Sequence, residues 1–403
     1  MWPGGSGGAA RRRWGGVPNI PLRRTPAPGA VTPAGRPRRL PSLDVVAPVV
    51  VALVVVLGAA ACASATGAAV SSPSSPPASP SVSSAGEPDP AQSDATATGG
   101  RLQLIVEPGA TMARIYSLLA APRHTLDMTM YELVDTRAER ILAADASRRV
   151  RVRVVLDSNR ERNQNLAAYR YLNAHGVRAV WASSSYEATH EKAVVVDAGY
   201  TDASALIMTL NLTSRYYATT RDYAVIDHSR SDIAAIESVF AADYARHARA
   251  VTPDGADLVW SPGSEAALVD LIRSADTSVS VENEEMSDYQ IVDALEADAR
   301  RGVHTRVIMT ADSDYDAELT GLAANGASVH LYPYSSSALY IHGKVIVVDA
   351  GTSHASAFVG SQNFSYASLD DNRELGIEIT NPAIVAKLAA TLDHDYAGGR
   401  RYT

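Results

Sequence analysis

Cysteine occurs once in 403 residues, as Cys62. A chain that loses Cys62 can form no disulfide, so its fold must rest on a packed core. Phenylalanine is scarce, with 3 against 18 tyrosines. No HxH, HExxH or Cys–His cluster is present, which argues against a zinc motif. No cofactor or metal is expected. The chain also lacks a basic excess. Lys and Arg number 36 against 44 Asp and Glu, a formal net charge of −8. Eight Arg and one acid, Asp44, fall in the first 62 residues; beyond them stand 28 basic and 43 acidic residues, a net of −15. A generic nucleic-acid binder shows a basic surface, so this balance counts against DNA or RNA, though a local basic groove stays open.

Residues 1–62 read as a targeting segment. Arg-, Pro- and Gly-rich sequence precedes the apolar run Val45 to Ala61. That run is short for a transmembrane helix and long enough for a signal-peptide core. It ends in Ala-Ala-Ala-Cys62, which resembles a bacterial lipoprotein cleavage site with Ala59 in the place of leucine. An ordinary secretory signal or an uncleaved anchor are the alternatives. Each implies an exported protein, secreted or held at the cell membrane. Residues 63–100 are Ser, Pro, Ala, Thr and Gly, too poor in large apolar side chains to offset ordering entropy, and read as a disordered linker.

From 101 onward the pattern alternates strands and helices, twice. Leu102 to Val106, a helix with Met112, Ile115 and Leu119, and strands at 125–131, 150–156 and 177–181 make the first series. Asp135 is placed to cap one helix; Ser231 or Asp232 is placed to cap the last. The second series runs in the same order, with Leu142 and Leu295 at a shift of 153 and the two motif histidines at 152. The expected fold is α/β: two similar α-β-α sandwich halves, 101–250 and 251–403, with mixed sheets, packed about a pseudo-two-fold axis.

Polar residues recur within the apolar runs. His342 and Lys344 stand two apart before Asp349; Ser361 and Asn363 end the next run; Glu374 follows in the third. His190, Lys192, Asp197, Thr209, Asn211 and Asp222 repeat the set. The separations agree: 21 from His to Asn and 11 from Asn to the acid in both copies. Strand parity turns Asp197 and Asp349 away from the His and Lys, so a structural role is expected for both. A single strand histidine is ordinarily an inert surface or core group. Two copies of four polar groups, with Lys192 and Lys344 on apolar runs where burial needs an anionic partner, point to chemistry.

The pattern resembles the phospholipase D superfamily, whose signature is HxKxxxxD, then GSxN, then an acid. HGKVIVVD (342–349) and Gly360-Ser361-Gln362-Asn363 match fully. HEKAVVVD (190–197) matches, but the first GSxN position reads Met208-Thr209-Leu210-Asn211, with Thr209 offering a hydroxyl in place of serine. The resemblance covers 101–403. It implies one metal-independent site at the junction of the halves, with His190 as nucleophile and His342 as general acid and then base; the swapped order stays open.

The residue types themselves suit phosphoryl transfer at a diester. Imidazole can attack phosphorus or protonate a leaving oxygen. Lys192, Lys344, Asn211 and Asn363, with Thr209 and Ser361, can hold phosphate oxygens. Asp222 and Glu374 are spaced to accept a ring N–H from His190 and His342, in that order. Tyr186, Tyr216, Tyr217, Tyr332, Tyr334, Tyr340 and Tyr366 flank the motifs and suit a membrane-facing rim or ordinary half-exposed loops. Glu282, Glu284 and Glu285 suit a cationic head group at the mouth or a solvated face. Three functions follow: a phospholipase D acting on phospholipid at a membrane surface, with hydrolysis or transphosphatidylation; an endonuclease of the same superfamily; a non-catalytic phospholipid-binding envelope protein. Charge, export signal and tyrosines favour the first. A monomer without an obligate protein partner is expected.

Overall fold

The structure is a computed structural model that describes residues 96–109, 112–247, 253 and 255–403. The targeting segment with Cys62, and the linker up to residue 95, lie outside the described residues. The remainder of that linker departs from expectation: Thr96–Gly99 forms a strand, β1, antiparallel to β2 (Leu102–Glu107). Its Thr-Ala-Thr-Gly sequence carries no strand signature, and backbone pairing at the sheet edge makes it one.

In the first half there follow α1 (Met112–Leu119), β3 (Thr125–Met130), α2 (Thr136–Ser147), β4 (Arg151–Leu156), α3 (Arg162–Ala174), β5 (Arg178–Trp181), β6 (Lys192–Val196), β7 (Ser204–Met208), β8 (Thr220–Asp227) and α4 (Arg230–Tyr244). The second half holds β9 (Leu258–Ser261), α5 (Glu265–Arg273), β10 (Ser278–Glu282), α6 (Tyr289–Arg300), β11 (His304–Thr310), α7 (Asp316–Ala324), β12 (Ser328–Tyr332), β13 (Tyr340–Ile341), β14 (Val345–Val348), β15 (Ser356–Gly360), β16 (Glu374–Ile379), α8 (Pro382–Gly398) and β17 (Arg400–Arg401). Asp135 caps α2 as expected, accepting from the N–H of Arg137 and Ala138. Ser229, not Ser231 or Asp232, caps α4. Asp232 sits inside the first turn, where its carboxylate is drawn to Arg101 and to the backbone N–H of Ala256.

The sheets repeat one topology. The first runs β1-β2-β8-β7-β6-β3-β4-β5 and the second β17-β12-β11-β10-β14-β15-β16-β9. β3, β4 and β5 are parallel, as are β10, β11 and β12; the other pairs along each sheet are antiparallel. The mixed-sheet, two-half α/β fold is thus as the sequence indicates. Alternation along the strands sorts the side chains. Val194 and Val196 face the helices of their own half, while Ala193 and Val195 join Val345, Val347, Val359 and Ile377 in one core between the halves. Ile233 and Ile236 of α4 and Ile384 and Leu388 of α8 belong to that same core.

Two buried ion pairs also cross the junction. Arg221 donates to Asp395 on α8 at 2.8 Å, and Arg373 donates to Asp243 on α4 at 2.9 Å. Arg373 is fully buried. Arg373→Ala leaves Asp243 buried without its cation, so stability should fall by about 3–5 kcal/mol. Denaturant unfolding of the full chain measures this.

Candidate active site

Each motif histidine lies just before a strand rather than on it, with β6 opening at Lys192 and β14 at Val345. What holds each histidine is backbone of the other half. Thr189 bridges Arg373, and the His190 N–H donates to the Arg373 carbonyl at 2.9 Å. Likewise β13 runs parallel to the start of β8, and the His342 N–H donates to the Arg221 carbonyl at 3.2 Å. The residue after each of these arginines is the acid.

The acids therefore serve the opposite histidines. His190 Nδ1 is 2.8 Å from Glu374 Oε2, and His342 Nδ1 is 2.7 Å from Asp222 Oδ1. This corrects the expected assignment of Asp222 to His190 and Glu374 to His342. Within a half, β7 separates the acid's strand from the histidine's. Two strand spacings amount to about 10 Å, too far for a hydrogen bond.

The hydroxyls are corrected too. Thr209 and Ser361 are fully buried and do not line the cavity. Thr209 Oγ1 donates to Asp222 Oδ1 at 2.6 Å, and Ser361 Oγ accepts the Leu375 N–H at 3.1 Å beside Glu374. They orient the acids instead of holding phosphate. Ser368 and Asn372 add donors to Glu374 Oε1 at 2.6 and 3.1 Å. Nothing in the spacing pointed to these two. Asp197 and Asp349 are structural as parity required: each takes a left-handed backbone, φ 50°, and accepts three consecutive backbone N–H groups, of residues 123–125 and 276–278.

His190, His342, Asn211 and Asn363 line one cavity of about 810 Å³. Both asparagines have an amide oxygen without a hydrogen-bond partner among the described residues, so hydrogen-bonding capacity remains unused at the cavity wall. Lys192 and Lys344 lie beneath it, their Nζ atoms donating to the carbonyls of His190 and His342 at 2.7 and 2.6 Å. Burial pushes the Lys192 ammonium down to about 7 and lowers the His190 imidazole, against the pull of Glu374. Among the described residues no group of three or more His, Cys, Asp and Glu side chains could hold a metal ion.

The remaining wall is acidic and phenolic. Among the described residues Glu132, Glu284 and Glu285 line it with one arginine, Arg215. Glu284 Oε2 is 3.0 Å from Lys344 Nζ, and Glu285 accepts from Asn363 at 3.0 Å. Glu282 does not reach the mouth; it is buried and accepts from the Tyr223 hydroxyl at 2.7 Å. Of the tyrosines, Tyr216, Tyr217, Tyr334 and Tyr340 line the cavity, with Tyr216 and Tyr334 exposed. Tyr366 is exposed outside the lining, Tyr186 is buried against Arg373, and Tyr332 donates to the Asp395 carbonyl.

A family profile described as the phospholipase D-like domain of cardiolipin synthase matches residues 115–244 and again 268–396. The chain belongs to this phospholipase D-like family. The two matches are the two halves. Of solved structures, phosphatidylserine synthase of Haemophilus influenzae is similar at 10% identity and TM-score 0.57, over 76% of this chain and 88% of that one. Polyphosphate kinase of Porphyromonas gingivalis is similar at 15% identity and TM-score 0.55, over 73% of this chain; the match spans half the kinase's length. At these identities the likeness is one of phospholipase D-like fold. No curated protein matches this sequence.

One buried group of the motif has no counterpart in the second copy. Glu191, between His190 and Lys192, has an Oε2 with no partner among the described residues, and burial pushes its carboxyl up to about 8. The folded chain thus holds a proton that the unfolded chain releases from about pH 4.5 upward. Stability is lost as pH rises across that window, by at most about 1.4 kcal/mol per unit. Glu191→Gln should remove this slope, raising Tm more at about pH 8 than at about pH 5.

Proposed function

We propose that this phospholipase D-like chain is a phospholipase D-type phosphodiesterase, cleaving a phospholipid to phosphatidate and its head-group alcohol. The observation that carries the phosphodiesterase part is the pair of histidines on one cavity, each held at Nδ1 by the acid of the opposite half, above two buried lysines. Nε2 of His190 attacks phosphorus. The bond from phosphorus to the head-group oxygen breaks, and that oxygen takes the proton of His342 Nε2. His342 then accepts a proton from water; the hydroxide attacks phosphorus, and the P–N bond to His190 breaks. Lys192, Lys344 and the asparagines offset the charge on the equatorial oxygens. An alcohol in place of water gives transphosphatidylation.

Phospholipid is favoured over nucleic acid by the wall itself. Three glutamates against one arginine repel a polyanion entering with many phosphates, while exposed Tyr216 and Tyr334 suit a lipid–water interface. Incubation of the full chain in EDTA with phosphatidylcholine or phosphatidylethanolamine vesicles, and separately with plasmid and single-stranded DNA, tests this. Release of head group is expected. DNA cutting without it points to the endonuclease; vesicle binding with neither activity points to a lipid-binding protein.

Export of the chain and its tethering through lipidated Cys62 belong to the same proposal. Fatty-acid labelling of the protein in a bacterial host should be lost in Cys62→Ser; label that persists there refutes the lipoprotein reading.

A further inference from the structure

The halves share their motif residues but not what stands beside them. Thr125 opens β3 opposite Arg151, and Ser278 opens β10 opposite His304, in equivalent register. Tyr131 and Glu284 follow these openings by the same number of residues, so they occupy equivalent places. Next to His190 the wall is a phenol ring, edge-on at 4.4 Å between centroids, with Lys192 Nζ 5.0 Å from the same ring. Next to His342 it is a carboxylate. Glu284 Oε2 lies 3.4 Å from His342 Nε2 and 3.0 Å from Lys344 Nζ, and its Oε1 accepts from the Tyr340 hydroxyl at 2.7 Å.

His342 faces a carboxylate at each ring nitrogen, Asp222 at Nδ1 and Glu284 at Nε2. An imidazole donates from both nitrogens only when it carries two protons. His190 faces a carboxylate at Nδ1 alone, through Glu374, which a neutral ring satisfies while its Nε2 keeps a lone pair. We propose that Glu284 divides the labour between the two histidines, keeping on Nε2 of His342 the proton that the leaving oxygen takes. Tyr131, in the same place on the other side, leaves Nε2 of His190 bare for attack. Glu284 is a positioning residue, since it acts through His342. Burial raises its carboxyl, but Lys344 and His342 outweigh burial and hold the group well below the usual carboxylate range. It is therefore ionised when His342 needs an acceptor. Of the other charged or titratable groups near His342 among the described residues, Lys344 is paired by Glu284, Tyr340 donates to Glu284, Glu282 beside Gly343 accepts from the Tyr223 hydroxyl, and Glu285 accepts from Asn363.

The assignment rests on the phosphodiesterase reading, and two measurements separate the fates of the two. In the full chain with 15N-labelled histidine, NMR should show N–H signals at both ring nitrogens of His342 in the wild type. Glu284→Leu should show only the one at Nδ1, and Glu284→Asp should restore both. A wild-type ring with a single N–H, or a Glu284→Leu ring that keeps two, overturns the proposal. In kinetics, a diester with an alkyl alcohol leaving group needs the proton and one with p-nitrophenol does not. Glu284→Leu should lower kcat/KM about 100-fold on the first and less than about 3-fold on the second. Equal losses on both overturn the proposal, since a merely structural role treats both diesters alike. Should the wild-type chain cleave neither diester, the phosphodiesterase reading fails, and the ring signals alone decide the role of Glu284.

Discussion

His190→Asn stops turnover while the fold survives, with a loss in kcat of about 10⁴-fold or more. The asparagine Nδ2 takes the place of the imidazole Nδ1 as donor to Glu374, so the buried carboxylate keeps a partner and only Nε2 is lost. Wild-type protein denatured at alkaline pH, where the P–N bond of phosphohistidine survives, should carry a phosphoryl label, and His190→Asn none. His342→Asn separates the two histidines further. With a p-nitrophenyl diester it should form the label at His190 in the first turnover and then keep it, because water lacks its base. A label on His342 in the wild type, absent from His342→Asn, reverses the roles.

The acids should give opposite signatures, and the direction reports the cross-half pairing. Glu374→Gln loosens His190 and slows formation of the phosphoenzyme, by about 10²–10⁴-fold. Asp222→Asn loosens His342. On a p-nitrophenyl diester its first turnover is spared and its second is slowed by a similar factor, so one equivalent of nitrophenol appears in a burst. Stopped-flow absorbance reads both variants. A burst from Glu374→Gln and none from Asp222→Asn would restore the same-half pairing suggested by spacing alone.

Much of the site was legible because its chemistry is written in short intervals. His and Lys two apart, and an asparagine and an acid at equal offsets in two copies, survive translation into any structure with the same strands. Lysine usage carried a further signal: the chain has three lysines, and two of them are Lys192 and Lys344. Parity also worked for Asp197 and Asp349, since a strand turns alternate side chains to opposite faces. The same reasoning misplaced Thr209 and Ser361. Their types suit a phosphate as well as an acid, and only the buried approach of Asp222 and Glu374 decides between them. Glu284 lay in view within an acidic run, but nothing in the run separates buried Glu282 from Glu284 at the cavity wall.

The duplication, the alternation of strand and helix, the cap at Asp135, and the identity of the reacting groups follow from local order and spacing. Such features need only neighbours within a few residues. The pairing of each histidine with the other half's acid needed the folded molecule. It arises because β7 and β15 each separate an acid from its own histidine, while Arg373 and Arg221 bring the opposite acid alongside through backbone hydrogen bonds 183 and 121 residues away in the chain. The inequality of the two histidines was decided there as well. Tyr131 and Glu284 take on meaning only when equivalent strand ends place a ring against one imidazole and a carboxylate against the other.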